Sequence, residues 1–164
     1  MRIPPEERED VSRAGSEQDA GNFNRGRMTT NPDIAGLKVM VIDDSSTIRR
    51  SAEIFLVQAG CHVILAEDGF DALAKINDHQ PDLIFCDILM PRLDGYQTCA
   101  LIKKSPRFHE TPVIMLSSKD GLFDRARGRM VGSDEYLTKP FTKDSLLKTV
   151  QMHGRRREGE ASRT

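Results

Sequence analysis

The 164-residue chain has no tryptophan, only two tyrosines (Tyr96 and Tyr136), and three cysteines. The cysteines are Cys61, Cys86 and Cys99. None forms a C-x-x-C pair or lies at metal-ligand spacing from a histidine, so zinc-ribbon and dithiol-redox readings fall away. Buried, reduced thiols are the expectation. The scarcity of aromatics leaves little to stack on a flavin ring. No apolar run approaches the roughly 18 residues that a membrane span requires. Residues 2–10 are charged and contain no apolar secretory core. The net charge of −1 gives no argument for nucleic acid as a partner. These absences lead us to expect a soluble, cytoplasmic protein.

Two tails are expected to lack structure. Residues 1–35 are mixed in charge, rich in Gly, Ser and Asn, and nearly free of aromatics, with Phe23 the exception. Such a segment buries too little apolar surface to offset its ordering entropy. Residues 153–164 read the same way, with Arg155-Arg156-Arg157 as part of a solvated tail. The intervening stretch, 36–152, is expected to be the folded domain. Neither tail offers room for a second domain that reads DNA.

Between the tails, β-rich apolar runs alternate with helical patterns. Leu37–Ile42 reads as a first strand, ending in Asp43-Asp44. Ser45 or Ser46 supplies an N-cap for a helix whose Ile48, Ala52, Phe55, Leu56 and Ala59 share one face. Gly60 ends it. His62–Ala66 is a second strand, and Ala72, Leu73 and Ile76 mark a second helix that stops before Pro81. Leu83–Cys86 is an apolar run closed by Asp87, with Pro91 and Asp94-Gly95 marking a loop. A third helix turns Cys99, Ala100 and Ile102 inward. Val113–Leu116 forms a fourth strand, followed by Ser117-Ser118. Phe123, Ala126 and Met130 suggest a fourth helix, weakened by about 1 kcal/mol at Gly128 relative to Ala. Glu135–Thr138 is a fifth strand, ending in Lys139-Pro140, and Thr142 caps a helix carrying Leu146, Leu147 and Val150. Five strand–helix units with short loops predict an α/β fold with a parallel sheet covered by helices on both faces.

In such a sheet, ligands bind beyond the carboxyl ends of the strands. Strand one ends in Asp43-Asp44, strand three in Asp87, strand four in Ser117-Ser118 and strand five in Lys139. The reactive side chains therefore gather on one rim. Two carboxylates about 4 Å apart repel by roughly 4 kcal/mol at an effective dielectric near 20. A hard divalent cation reverses that repulsion, and Mg²⁺ prefers oxygen ligands while retaining waters. Asp44 and Asp87 are candidate direct ligands, Asp43 a holder of metal-bound water, and a backbone carbonyl after Asp87 a further ligand. Lys139 adds positive charge and Ser117 a hydroxyl. The set suits phosphoryl transfer onto a carboxylate, with Asp87 as nucleophile.

Together, Asp43-Asp44, Asp87 with Met90-Pro91 and Asp94-Gly95, Ser117-Ser118, and the run Gly132-Ser133-Asp134-Glu135-Tyr136-Leu137-Thr138-Lys139-Pro140-Phe141 resemble the receiver domain of two-component response regulators. The resemblance covers about residues 36–152. It implies a flavodoxin-like, CheY-like five-stranded sheet of order 2-1-3-4-5, flanked by five helices. It implies that Asp87 accepts phosphate from a histidine kinase and that Asp43, Asp44, Asp87 and the Leu89 carbonyl hold Mg²⁺. Ser117 and Lys139 would contact the phosphate. Tyr136 would be the aromatic that rotates inward as Ser117 is drawn to it, and Lys139-Pro140 would be cis. Asp43-Asp44-Ser45-Ser46-Thr47-Ile48-Arg49-Arg50 and Pro91-Arg92-Leu93-Asp94-Gly95-Tyr96-Gln97-Thr98-Cys99 further resemble the stand-alone regulators of type IV pilus twitching motility, which act in chemotaxis-like pathways. That implies a CheA-like kinase as donor and a downstream protein bound at helix four, strand five and helix five. Arg125, Arg127, Arg129 and Lys143 make that face basic, suiting an acidic surface. A monomer with no nucleic-acid partner is expected. Two positions near the acceptor, Leu89 and Lys119, vary in the family, and Leu89 has no polar atom with which to guide an attacking water. Slow loss of the phosphate follows.

Other classes remain. A phosphatase of the haloacid dehalogenase type also phosphorylates an Asp, but from an Asp-x-Asp motif; here the first strand carries adjacent Asp43-Asp44. A flavin carrier would want a phosphate-cradling loop where this chain is acidic. A pseudo-receiver that binds partners without being phosphorylated is a further alternative. On the favoured reading the chain is a phosphoacceptor signalling protein rather than a turnover enzyme.

Overall fold

Neighbouring residues of a strand point to opposite faces of a sheet, and here both faces are apolar. The computed structural model describes residues 31–118 and 122–163. Its elements are β1 (Lys38–Ile42), α1 (Ser46–Gln58), β2 (His62–Ala66), α2 (Gly69–His79), β3 (Leu83–Asp87), α3 (Gly95–Lys104), β4 (Val113–Ser117), α4 (Leu122–Met130), β5 (Glu135–Thr138) and α5 (Lys143–Arg163). Val39, Val41, Leu83, Phe85, Ile114 and Leu116 face one cluster, which α1 and α5 complete with Ala52, Leu56, Leu146 and Val150. Met40, Ile42, Ile84, Cys86, Val113 and Met115 face the other, which α2 and α3 complete with Ala72, Ile76, Cys99 and Ile102. Covering both faces is what a parallel sheet demands. Full burial of each large aliphatic or aromatic side chain contributes about 1.5–3 kcal/mol.

The strands are all parallel, in the order β2-β1-β3-β4-β5. Met40 lies opposite Ile84, Asp87 opposite Leu116, and Ser117 opposite Thr138. This is the flavodoxin-like, CheY-like order that the resemblance implied. Helix starts are set by short polar side chains. Ser45 Oγ accepts from the Ile48 N–H at 3.3 Å and Asp68 Oδ1 from the Asp71 N–H at 2.7 Å. Asp94 and Gln97 form a reciprocal capping box at the start of α3, and Thr142 Oγ1 accepts from the Ser145 N–H at 3.0 Å.

Three details depart from the sequence reading. Most of the N-terminal extension lies outside the described residues, but its last part does not. Ile34 is fully buried, Gly36 N–H bonds the Gly60 carbonyl at 2.9 Å, and Gln151 Nε2 bonds Asp33 Oδ2 at 2.7 Å. A single isoleucine in a polar run has no periodicity to betray it, yet it plugs the base of the α1–α5 side. At the other end, α5 runs past residue 152 to Arg163. His153 and Gly154 are buried; the ring of His153 meets the Glu135 carboxylate, and Gly154 lies against Leu37. The third departure is α4, where Ala126 is exposed and Met130 is 84 % exposed. Among the described side chains of α4, residues 125–130, the buried position is Gly128; the side chain of Phe123 lies outside them. A Cβ on Gly128 would lie 2.7 Å from Ser133 Oγ and 2.8 Å from Tyr136 Cε1. The glycine read as a weak point of α4 is the slot that receives Tyr136.

Gly128→Ala therefore sets two effects against each other. Helix propensity improves by about 1 kcal/mol, while overpacking against the ring costs a similar amount or more. We expect little change in thermal stability and a changed near-ultraviolet dichroism as Tyr136 is displaced. An unaltered tyrosine spectrum would show that the ring does not rest on Gly128.

Candidate functional site

Parallel strands end at one rim, and four of them deliver polar side chains there. Asp43 and Asp44 follow β1, and Asp87 is the last residue of β3. Each of the three offers a carboxylate oxygen, and these atoms lie within 4.8 Å of one another. Asp43 is fully buried, Asp87 nearly so at 3 % exposed, and Asp44 is open to solvent. Lys139 reaches in from beyond β5. Its Nζ lies 2.9 Å from Asp87 Oδ1 and 3.3 Å from Asp43 Oδ2.

Local bonds hold each group in place. Asp43 Oδ1 accepts from the Ser45 N–H at 2.9 Å, and the Asp43 carbonyl accepts from Arg49 Nη1 at 2.6 Å. Lys139 N–H bonds the Ser117 carbonyl at 2.6 Å, which extends the β4–β5 ladder by one step. The Lys139–Pro140 peptide is cis. Gly95, the first residue of α3, donates its N–H to the Ile88 carbonyl at 2.8 Å and lets the backbone of Asp87 and Ile88 pass directly over it.

Charge balance follows from this packing. Burial pushes the Asp87 carboxyl up to about 6; the Lys139 hydrogen bond opposes this, and the Asp43 charge adds to it. Lys139 is also raised: burial works against its charge, but the Asp87 hydrogen bond and the Asp43 charge outweigh it. The asymmetry has a simple cause. Lys139 has two carboxylates in contact, whereas Asp87 has one cation and two like charges beside it. Three carboxylates against one lysine leave a net anionic cluster of hard oxygen donors, partly open on the Asp44 side, that fits a hard divalent cation.

The structure thus brings together Asp43, Asp44, Asp87 and Lys139 as the sequence predicted. Ser117 is the buried last residue of β4, one step beyond the partner of Asp87 in the register. Leu89 sits in the loop after β3, with its side chain 72 % exposed. Lys119 lies outside the described residues. Tyr136 is half-buried on β5, and its hydroxyl oxygen is 3.1 Å from that of Tyr96. Sequence reasoning missed Tyr96, whose position shows only as one more buried residue of α3. It also missed Arg92, which bonds Asp68 Oδ2 at 2.6 Å and lies over the Phe70 ring at 5.3 Å. Neither contact leaves a signal in spacing. The basic face of α4 is more committed than the sequence suggests. Arg127 lies 4.3 Å over the Tyr96 ring and Arg125 5.9 Å over that of Tyr136.

An acidic triad and a lysine at the carboxyl rim of a 2-1-3-4-5 sheet define a class. The chain belongs to the response regulator receiver domain family, which matches residues 39–151. It is 70 % identical over 118 residues to Protein PilG of Pseudomonas aeruginosa, covering 72 % of this chain and 87 % of that protein. Among solved structures, the chemotaxis protein CheY4 of Vibrio cholerae superposes with a TM-score of 0.71 at 34 % identity, over 73 % of this chain and 99 % of that one. The receiver domain of the Francisella response regulator 1452 gives 0.68 at 36 % identity, over 74 % and 98 %. The chain is a two-component signalling protein, not a member of a turnover-enzyme family. Among the described residues no helix is long and apolar enough to cross a membrane.

Proposed function

We propose that Asp87 accepts a phosphoryl group from a histidine kinase and that the protein signals by binding a partner that prefers the phosphorylated form. The observation that carries this reading is the meeting of three carboxylates with Lys139 at the strand ends. An Asp87 oxygen attacks phosphorus, the bond from phosphorus to the donor's imidazole breaks, and the imidazole leaves with a proton from solvent. Lys139 stays beside the acceptor and offsets charge on the transferred oxygens. The Ser117 hydroxyl supplies a hydrogen bond to the bound phosphoryl group. Asp43, Asp44, Asp87 and the Leu89 carbonyl would hold Mg²⁺. When bound, that ion supplies charge neutralisation for an incoming phosphoryl oxygen.

Output would pass through α4, β5 and α5, with Tyr136 turning inward as Ser117 engages the phosphate. Arg129 lines a small cavity there of about 260 Å³ with Arg125, Ser133, Asp134, Glu135 and Tyr136. Arg125 and Arg129 line that cavity and Arg127 lies over Tyr96, so an acidic partner would meet the exposed sides of these three arginines; Lys143, counted with them from the sequence, instead bonds Gln58 Oε1 of α1 at 2.9 Å. The motifs shared with twitching regulators and the identity to PilG support a role in type IV pilus, chemotaxis-like signalling in the cytoplasm, with a CheA-like kinase as donor. On this reading the receiver domain acts as a monomer, and apolar Leu89 makes its phosphorylated form long-lived.

Intact mass tests the acceptor, with a small phosphoramidate as donor. The wild type should gain one phosphoryl group only with Mg²⁺, and Asp87→Asn none. Incorporation into the Asn variant would place the acceptor elsewhere. A folded wild type that takes up nothing would favour a pseudo-receiver.

A further inference from the structure

Tyr96 and Tyr136 are the chain's two tyrosines, and their hydroxyls bond each other across the start of α3 and the middle of β5. The ring of Tyr96 is buried, at 4 % exposed, whereas Tyr136 is only half-buried. Both rings carry a guanidinium from α4, with Arg127 close over Tyr96 and Arg125 more distant over Tyr136. Gly128, between those two arginines and Tyr136, leaves just enough room for the Tyr136 ring.

We propose that Tyr96 is a positioning residue of the switch, holding Tyr136 in its resting arrangement through the hydroxyl pair while Arg127 on the Tyr96 ring anchors α4. The inference rests on the reading of Tyr136 as the moving aromatic. The two tyrosines differ in what can move. Tyr96 is enclosed by the α2–α3 side of the core. Tyr136 has an exposed flank and the more distant of the two arginines. Turning Tyr136 further inward draws its hydroxyl from Tyr96 and takes its ring from beneath Arg125. The Arg127–Tyr96 contact stays, so α4 pivots about its second arginine instead of detaching.

A hydroxyl–hydroxyl bond of this kind shifts a two-state equilibrium by about five-fold. The test uses the full chain with Mg²⁺ and beryllofluoride as the phosphoryl mimic. Binding is followed by fluorine NMR, and the rings by tyrosine emission, which no tryptophan obscures. Tyr96→Phe keeps the ring and its cation contact. It should bind beryllofluoride about five-fold more tightly than wild type. Tyr136→Phe removes the same bond and should give the same shift, and the double variant should add nothing further. Unchanged or weaker binding by Tyr96→Phe, or additive shifts in the double variant, would overturn the role given to Tyr96. A different result would strike the underlying switch: beryllofluoride bound to the wild type with no change in tyrosine emission. In that case Tyr136 does not move, and both readings fall together.

Discussion

At pH 7, Asp87→Asn should make the metal-free protein more stable by about 2 kcal/mol, even as it ends phosphoryl uptake. The reason is the acceptor's own environment. Its folded pKa, pushed up to about 6 by burial and then by Asp43, lies above the ordinary carboxyl value of 3.8. Between those values the folded carboxyl holds more proton than the unfolded one, so stability falls as pH rises from about 4 to about 6 and then levels. An amide keeps the shape and loses the charge. The full shift corresponds to about 3 kcal/mol and already sets the Lys139 attraction against burial and Asp43; imperfect mimicry of the protonated acid by the amide leaves about 2 kcal/mol. The advantage of the variant should be absent below about pH 4 and complete above about pH 6. Denaturant titrations of both proteins at pH 4 and pH 7.5, in chelator, test this. A variant less stable than wild type at pH 7.5 would mean that the Lys139 pair outweighs the burial of the charge. Saturating Mg²⁺ should stabilise the wild type more than the variant, because the ion binds only the deprotonated carboxylate.

The second large effect is at Gly95. A Cβ there would lie 2.2 Å from the Asp87 carbonyl oxygen and 2.7 Å from the Ile88 Cα. Both are backbone atoms at the end of a central strand, so no rotamer change relieves the clash. Gly95→Ala should cost about 3 kcal/mol and shift the segment that carries Asp87 and Leu89. Loss of stability alone would indicate a packing role. We expect in addition a clear fall in Mg²⁺ affinity at temperatures where the variant is still folded. A variant as stable as wild type would mean that α3 can slide away from the β3 exit at no cost.

Much of this architecture was legible because its signals are periodic. Val39–Ile42 and Leu83–Cys86 are continuous apolar runs set between helices of 3.6-residue period, a pattern that points to parallel strands buried on both faces. The rim was legible because strand ends are easy to find, and Asp43, Asp44, Asp87 and Lys139 all stand at one. What stayed hidden depends on single contacts. Ile34 is one apolar residue in a polar segment. Arg92 and Asp68 are 24 residues apart, and Tyr96 and Tyr136 are 40 apart, with no repeat to link them. Gly128 read as a flaw in α4 because helix propensity counts only local cost; its value lies in the Tyr136 ring that a Cβ would displace. The same limit applied at the C-terminus, where the polar composition after residue 152 concealed a helix held down by His153 and Gly154.

Lys139 and Asp43 stand 96 residues apart along the chain yet share an ion pair. Four of the five strands are synthesised between them. A chain emerging from the ribosome displays Asp87 long before the lysine that flanks it exists. The cation that flanks the proposed acceptor is therefore in place only once β5 has docked.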